Sequence, residues 1–329
     1  IAGALYLLES SAQVEQLTAQ YAHIRIWSAP ATLSIYVFTG VFIGMHNTRR
    51  VFLLQIILNL SNILLDVLFV VGLNMGVEGV ALATLIAEYL AAACGFLLLR
   101  SPVVTAIKQL NWHRLVERDA LFQLMRANGN IFIRTLCLVF SLAYFTALSA
   151  RMGEVVLAAN AILLHFQNIM AYGLDGFAYA AEALAGSAYG AGKRHEFSRT
   201  VRLTSLWGAI IAGLVSLAYF LSGDLILRLF TNIGPVLDAA AVYLPWMIIA
   251  PLVSVWSFQL DGIFIGAGYT REMRNAMVVS MLVYLVLVSL LVPLWGNHGL
   301  FLGLSLFMVV RALSLGFYYP RIVAAMETQ

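Results

Sequence analysis

Charge is what this chain has least of. Of its 329 residues, 19 are Lys or Arg and 16 are Asp or Glu, a charged share of 11%; a soluble domain carries about 25%. The formal net charge of +3 is too small to point to nucleic acid. Cysteine is nearly absent. Cys94 and Cys137 are too few for a disulfide scaffold, and two lone thiols do not make a metal site. No basic n-region with a small-residue cleavage site marks a signal peptide. No metal-ligand cluster, nucleophile elbow or Asp/His/Ser constellation appears, so the sequence offers no enzyme site and calls for no cofactor. The run "GSAYGAGK" at 186–193 fails as a phosphate loop, because position 187 is Ser and Arg194 follows Lys193.

Apolar length is what the chain has instead. It is 62% hydrophobic with a mean hydropathy of +0.90. Runs of about 20 apolar residues recur, the length that crosses a bilayer core as a helix. Lipid cannot satisfy backbone polar groups, so repeated runs of that length read as a helical bundle, and they are too uniformly apolar for barrel strands. The pattern predicts an all-α polytopic membrane protein with helices near 21–46, 51–72, 78–100, 118–149, 155–183, 201–223, 241–267, 273–294 and 299–320, after the stub "IAGALYLL". Lys and Arg alternate strictly between connections. Arg49, Arg50, Arg100, Lys108, Arg114, Arg118, Lys193, Arg194, Arg199, Arg202, Arg271, Arg274 and Arg321 fall on one set, while only Arg151 and Arg228 fall on the other. Thirteen against two assigns the first set to the cytoplasm.

The chain repeats itself. "FTGVFIGMHNTRR" at 38–50 matches "LDGIFIGAGYTRE" at 260–272 through Gly40/Gly262, Phe42/Phe264, Ile43/Ile265, Gly44/Gly266, Thr48/Thr270 and Arg49/Arg271, an offset of 222. Gly76-x-x-Gly79 recurs as Gly296-x-x-Gly299, two residues out of phase. The second repeat holds six spans, and an even number puts both repeats the same way up, as two lobes related by a pseudo-twofold along the membrane normal. The first repeat shows only three spans and a stub, so about 100 residues of it are expected before Ile1. The expected division is 1–100 for the end of the first lobe, 101–117 for a cytoplasmic linker and 118–329 for the second lobe with a short tail.

Ionisable groups inside spans are the candidates for function. Gln55, Asn59, Asn62 and Asp66 are spaced +4, +3, +4 and line one helix face. A carboxylate at that depth costs about 2.5–3.5 kcal/mol even on the lenient insertion scale, so Asp66 must face protein or a water-filled cavity. The amides read equally as interhelical hydrogen-bond glue. At offset 222 this stripe becomes Met277, Met281, Tyr284 and Val288. That contrast suggests ion coupling in the first lobe and hydrophobic substrate contact, through Met281 and Tyr284, in the second. Asp261 shares a face with Ser254 and Ser257, and the first helix of its lobe carries Asn128 and Arg134. Pairing of Arg134 with Asp261 or with Asp175 is expected, because buried charges are usually paired; a substrate or gating role for these residues stays open. Asp175 and Glu182 share a face of the following helix. His165 reads as a core residue or a proton relay, and Glu88 and Arg311 are mid-span charges expected to pair with neighbours.

The segments "LDGIFIGAGYTREMRN" (260–275), "NGNIFIRTL" (128–136), "EALAGSAYGAGK" (182–193) and "NLSNILLDVLFVVGLNMGVEGVALAT" (59–84) resemble the multidrug and toxic compound extrusion (MATE) transporters, in particular their bacterial DNA-damage-inducible branch. The resemblance runs through the whole chain as the last ten of twelve helices. It implies an ion site on Asn62, Asp66 and Thr84, with Asn59 on the same face, completed by an Asp on a first helix that lies outside this sequence. It implies a cation-coupled antiporter of the bacterial cytoplasmic membrane that exports amphiphilic or cationic compounds as a monomer in the lipid bilayer. The branch implies protons as the coupling ion, with sodium left open. Related transporters of another branch pair an Asp on the helix of Asp261 with a Glu; the helix at 118–149 offers none. A flippase for lipid-linked sugars is the alternative, but its pyrophosphate asks for many cations and the spans hold only Arg25, Arg126, Arg134 and Arg311. A membrane scaffold or sensor would need neither the polar stripe nor the repeat.

Overall fold

The computed structural model describes residues 12–108 and 117–327, with side chains over 16–99 and 117–327. These residues form helices joined by short turns, grouped in two compact units, Ile1–Trp112 and His113–Gln329.

In the first unit, α1 (Ala12–Arg25) passes through a 3-10 turn (Ile26–Ser28) into α2 (Ala29–Gly44). Pro30 causes the break: it has no N–H for the bond one turn back, and the chain tightens before it. Then come α3 (Thr48–Asp66), a π turn (Val67–Gly72) and α4 (Val77–Lys108). Asn47 caps α3 by accepting from the Arg50 amide at 3.3 Å. α4 packs against α1, α2 and α3, and Gly95 lets the ring of Phe38 lie on its backbone.

The second unit contains α5 (Arg118–Arg151), α6 (Glu154–Gly190), α7 (Arg194–Phe230) and α8 (Gly234–Gly266), followed by the helical run Thr270–Ala325. That run of 56 residues would be about 84 Å long if straight, against a hydrocarbon core of about 30 Å. It is not straight. Gly296 adopts φ 54°, ψ −131°, a conformation for glycine, and separates α9 (270–295) from α10 (297–325). Eight helical runs among the described residues are long and apolar enough to cross a membrane, and the reversal at Gly296 makes the last of them two. α6 and α8 form the centre of the unit, each packed on α7.

Lipid tails are as apolar as Leu, so helices associate in a bilayer through close packing and hydrogen bonds. Both are present. A Cβ on Gly262 or Gly266 would run into the backbone of Ala178 or Glu182, and one on Gly186 into Gly266. This seam of small residues brings α6 and α8 into backbone contact. The Tyr219 hydroxyl donates to Phe166 O at 2.7 Å, and that of Ser216 to Ile248 O. Ser141, Ser149 and Ser280 donate to the carbonyl four residues back, which satisfies a hydroxyl inside an apolar helix.

The repeat is present in the backbone. After α2, the amides of Met45, His46 and Asn47 donate to Val41, Ile43 and Phe42; after α8, those of Ala267, Gly268 and Tyr269 donate to Ile263, Ile265 and Phe264. Every pair is 222 residues apart. His46 and Gly268 both take positive φ, 55° and 79°, and so do Asn74 and Gly296, 53° and 54°. The left-handed residue of the second turn therefore keeps the offset. Asn74, which tolerates this conformation, stands where Gly296 stands in the second unit, and the two-residue slip of the glycines falls after it: a Cβ on Gly79 would meet Phe69 and one on Gly299 would meet Leu291, positions again 222 apart.

Candidate functional site

Two polar clusters lie inside the first unit. Glu88 on α4 is buried and accepts from Arg25 Nη2 at 3.0 Å and from Thr32 Oγ1 at 2.6 Å. These partners stand on opposite sides of the 3-10 turn, so the carboxylate holds both ends of the break in α1–α2. The second cluster joins α3 to α4. Asn62 Nδ2 donates to Thr84 Oγ1 at 3.1 Å, and that hydroxyl donates to Val80 O at 2.9 Å. Asp66 follows Asn62 by one turn and ends the α-helical part of α3, where the backbone widens into the π turn. Its Oδ1 is enclosed without a hydrogen-bond partner. Enclosed polar atoms are nearly always paired, so this unpaired carboxylate oxygen, one helical turn after Asn62, is an exception. Asn59 stands apart: it is exposed, and its amide donates to Gln55 O of its own helix at 2.8 Å.

The second unit contains a cavity of about 490 Å³. Arg134 and Leu138 reach it from α5, Asn168, Asp175, Tyr179 and Glu182 from α6, Phe258 and Asp261 from α8, and Met308 and Arg311 from α10. Positions 168, 171, 175, 178 and 182 of α6 line it, a spacing that keeps one helix face turned inward. Arg134 and Arg311 both form ion pairs with the same oxygen of Asp261. The Arg311 side chain is only 3% exposed, and its guanidinium lies over the Phe258 ring, 5.9 Å from the centroid. The expected Arg134–Asp261 pair is thus one arm of a three-residue cluster, and Asp175 lies within electrostatic reach of both arginines. Arg311, read from sequence only as an unplaced mid-span charge, is its third member.

Three residues expected at the cavity lie elsewhere. Asn128 is exposed on α5. Asn130, two positions on, is the buried amide, accepting from Arg274 Nη1 at 2.9 Å and donating to Thr270 at 3.1 Å. Tyr284 is fully buried, its ring edge-on to Phe307 and packed at Gly303. Met281 packs against the same core. The apolar counterpart of the first unit's polar stripe is therefore interior packing, with Val288 and Tyr284 filling the space over Gly303. His165 is exposed and stacks on Phe230 at 5.4 Å, away from the lining of the cavity. Among the described residues, no three His, Cys, Asp or Glu side chains converge as for a metal ion.

One end of the second unit is closed by a reciprocal amide pair. Asn160 donates to Asn297 at 2.7 Å and Asn297 to Asn160 at 2.8 Å, while Asn160 also donates to Ser149 at 2.7 Å. At the other end, in the turn after α8, the Tyr269 and Tyr189 hydroxyls meet at 3.2 Å. Burial, then this contact, pushes the Tyr269 hydroxyl up to about 12, so it is a neutral pin.

Comparisons with known proteins follow the same lines. The MatE family profile matches residues 131–290. The chain is 38% identical over 320 residues to the DNA damage-inducible protein F of Escherichia coli (strain K12), covering 97% of this chain and 69% of that protein. It is 28% identical over 305 residues to Protein DETOXIFICATION 42 of Arabidopsis thaliana, covering 91% of this chain and 57% of that one. Its fold superposes on the crystal structure of a MATE protein in complex with MaL6 with a TM-score of 0.90 at 16% identity, over 99% of this chain and 74% of the other.

Proposed function

The chain belongs to the multidrug and toxic compound extrusion (MatE) family, whose members are transporters and not enzymes, and from that premise we propose that it exports amphiphilic or cationic compounds in exchange for a cation. The observation that carries the coupling is the enclosed, unpartnered oxygen of Asp66, one helical turn after the Asn62 that bonds Thr84. A proton on that oxygen turns it from an orphan acceptor into a donor, and proton entry and release change the hydrogen bonding of the segment where α3 becomes a π turn. π bulges inside helices are frequent at functional positions. The cavity of Arg134, Asp175 and Asp261 receives the compound.

Alternating access makes the exchange productive. The inward state has to favour the compound and the outward state the ion, so each ligand shifts the equilibrium by its differential affinity for the two states. Pro30 opens α2 after the 3-10 turn, and Pro245 and Pro251 interrupt the backbone hydrogen bonding of α8; all three supply points of bending. The likeness to the DNA-damage-inducible branch supports protons as the coupling ion, and the Escherichia coli relative supports the bacterial cytoplasmic membrane as the location; the working form in this proposal is a monomer.

Uptake of a fluorescent cation into everted vesicles containing the full-length protein, measured with and without sodium and with and without a pH gradient, tests the reading. Export that requires the gradient and needs no sodium is the expected result. Export that stops without sodium would replace the proton, and no export under either condition would overturn the proposal.

A further inference from the structure

The cavity of the second unit has a charge imbalance with one owner. Five charged side chains line it: Arg134, Arg311, Asp261, Asp175 and Glu182. Asp261 is shared by the two arginines, and Asp175 lies within electrostatic reach of both. Two cations and two carboxylates cancel. Glu182 is left over. Among the described residues no hydrogen bond or ion pair reaches it.

Its position is set by the α6–α8 seam. A Cβ on Gly266 would collide with the carbonyl of Glu182, and one on Gly262 with that of Ala178 one turn earlier. The backbone carrying Glu182 is thus held against α8, while its side chain lines the cavity. Asp175 stands seven residues before it, about 10 Å along the helix at 1.5 Å per residue. Both arginines act electrostatically on Asp175 and neither acts on Glu182, so Glu182 stands outside the arginine cluster. Leu138, Phe258, Met308 and Tyr179 supply apolar and aromatic wall, and about 490 Å³ is drug-sized.

We infer that Glu182 is the specificity-determining residue for a compound with one positive charge and an aromatic body. It holds the charged end away from Arg134 and Arg311. This rests on the export reading above and deepens it. A second positive charge on the compound would approach a cluster that already contains two guanidinium groups, so monocations are preferred to dications of similar size.

The test is equilibrium binding of tetraphenylphosphonium, a permanent monocation, and of neutral Nile red to purified full-length protein. Glu182→Gln keeps the shape and removes the charge. It is expected to weaken tetraphenylphosphonium binding at least tenfold, to leave Nile red binding within twofold and to melt with wild type; Glu182→Asp is expected to recover part of the cation binding. Unchanged cation binding in Glu182→Gln overturns the inference while leaving the export reading intact. An equal loss of both probes, or a lowered melting temperature in Glu182→Gln, overturns it by making the residue structural. Wild-type protein that binds neither probe overturns the export reading and this inference together.

Discussion

Arg311 and Asp261 form a buried ion pair across α10 and α8, and Arg134 of α5 closes on the same carboxylate oxygen. One acidic group is thus shared by two guanidinium groups inside a membrane-spanning unit, with Asp175 within electrostatic reach as the second negative charge. Asp261→Asn leaves both cations without their shared partner. Breaking a buried pair costs about 3–5 kcal/mol, so the variant should melt well below wild type in detergent, whereas Arg311→Met, which leaves Asp261 its pair with Arg134, should melt closer to it. Equal melting of Asp261→Asn and wild type would contradict the cluster's structural role.

The α6–α8 seam makes an opposite kind of claim, about space. Gly262→Ala places a methyl group against the Ala178 carbonyl, and overpacking of this kind costs about 1–3 kcal/mol. Gly176→Ala, on the same α6, meets nothing within 4 Å and should be neutral or stabilising, because Ala is the better helix residue. Thermal melts of the two variants side by side check this. A harmless Gly262→Ala would mean the two helices can separate at little cost.

The spans were legible because lipid enforces a simple rule: a helix of about 20 apolar residues with charge at its ends. Their ends were not. α6 and α7 reach 37 residues each, well past 155–183 and 201–223, because the polar residues at their ends continue the helix beyond the apolar part. The Arg134–Asp261 pair could be expected from the scarcity of charge, yet the part of Arg311 could not, since two arginines sharing one carboxylate oxygen leave no pattern in the sequence. Asn128 and Asn130 differ by about 200° around α5, and only the tertiary position of Arg274 decides which is buried. The apolar stripe of Met281 and Tyr284 reads the same from sequence whether it faces substrate or Gly303.

Asn160 and Asn297 hold the turn at Gly296 through two reciprocal amide bonds. Either single change to Ala leaves a buried amide short of a partner, at about 1–3 kcal/mol. The double variant should lose less than the sum of the singles, with a coupling of about 0.5–3 kcal/mol. Strict additivity in a double-mutant cycle of melting free energies would contradict a direct pair.

Proton coupling through Asp66 is the central claim, and gradient-driven efflux by Asp66→Asn in the full-length protein tests it most directly. An asparagine at this position can still hydrogen-bond near Asn62 and Thr84 but carries no titrating proton. Normalised to folded, membrane-inserted protein, Asp66→Asn is expected to lose the pH-gradient-driven part of dye export, while Asp261→Asn is expected to lose less of it. Export by Asp66→Asn at the wild-type rate under the same gradient, or a greater loss per folded molecule in Asp261→Asn, would contradict it.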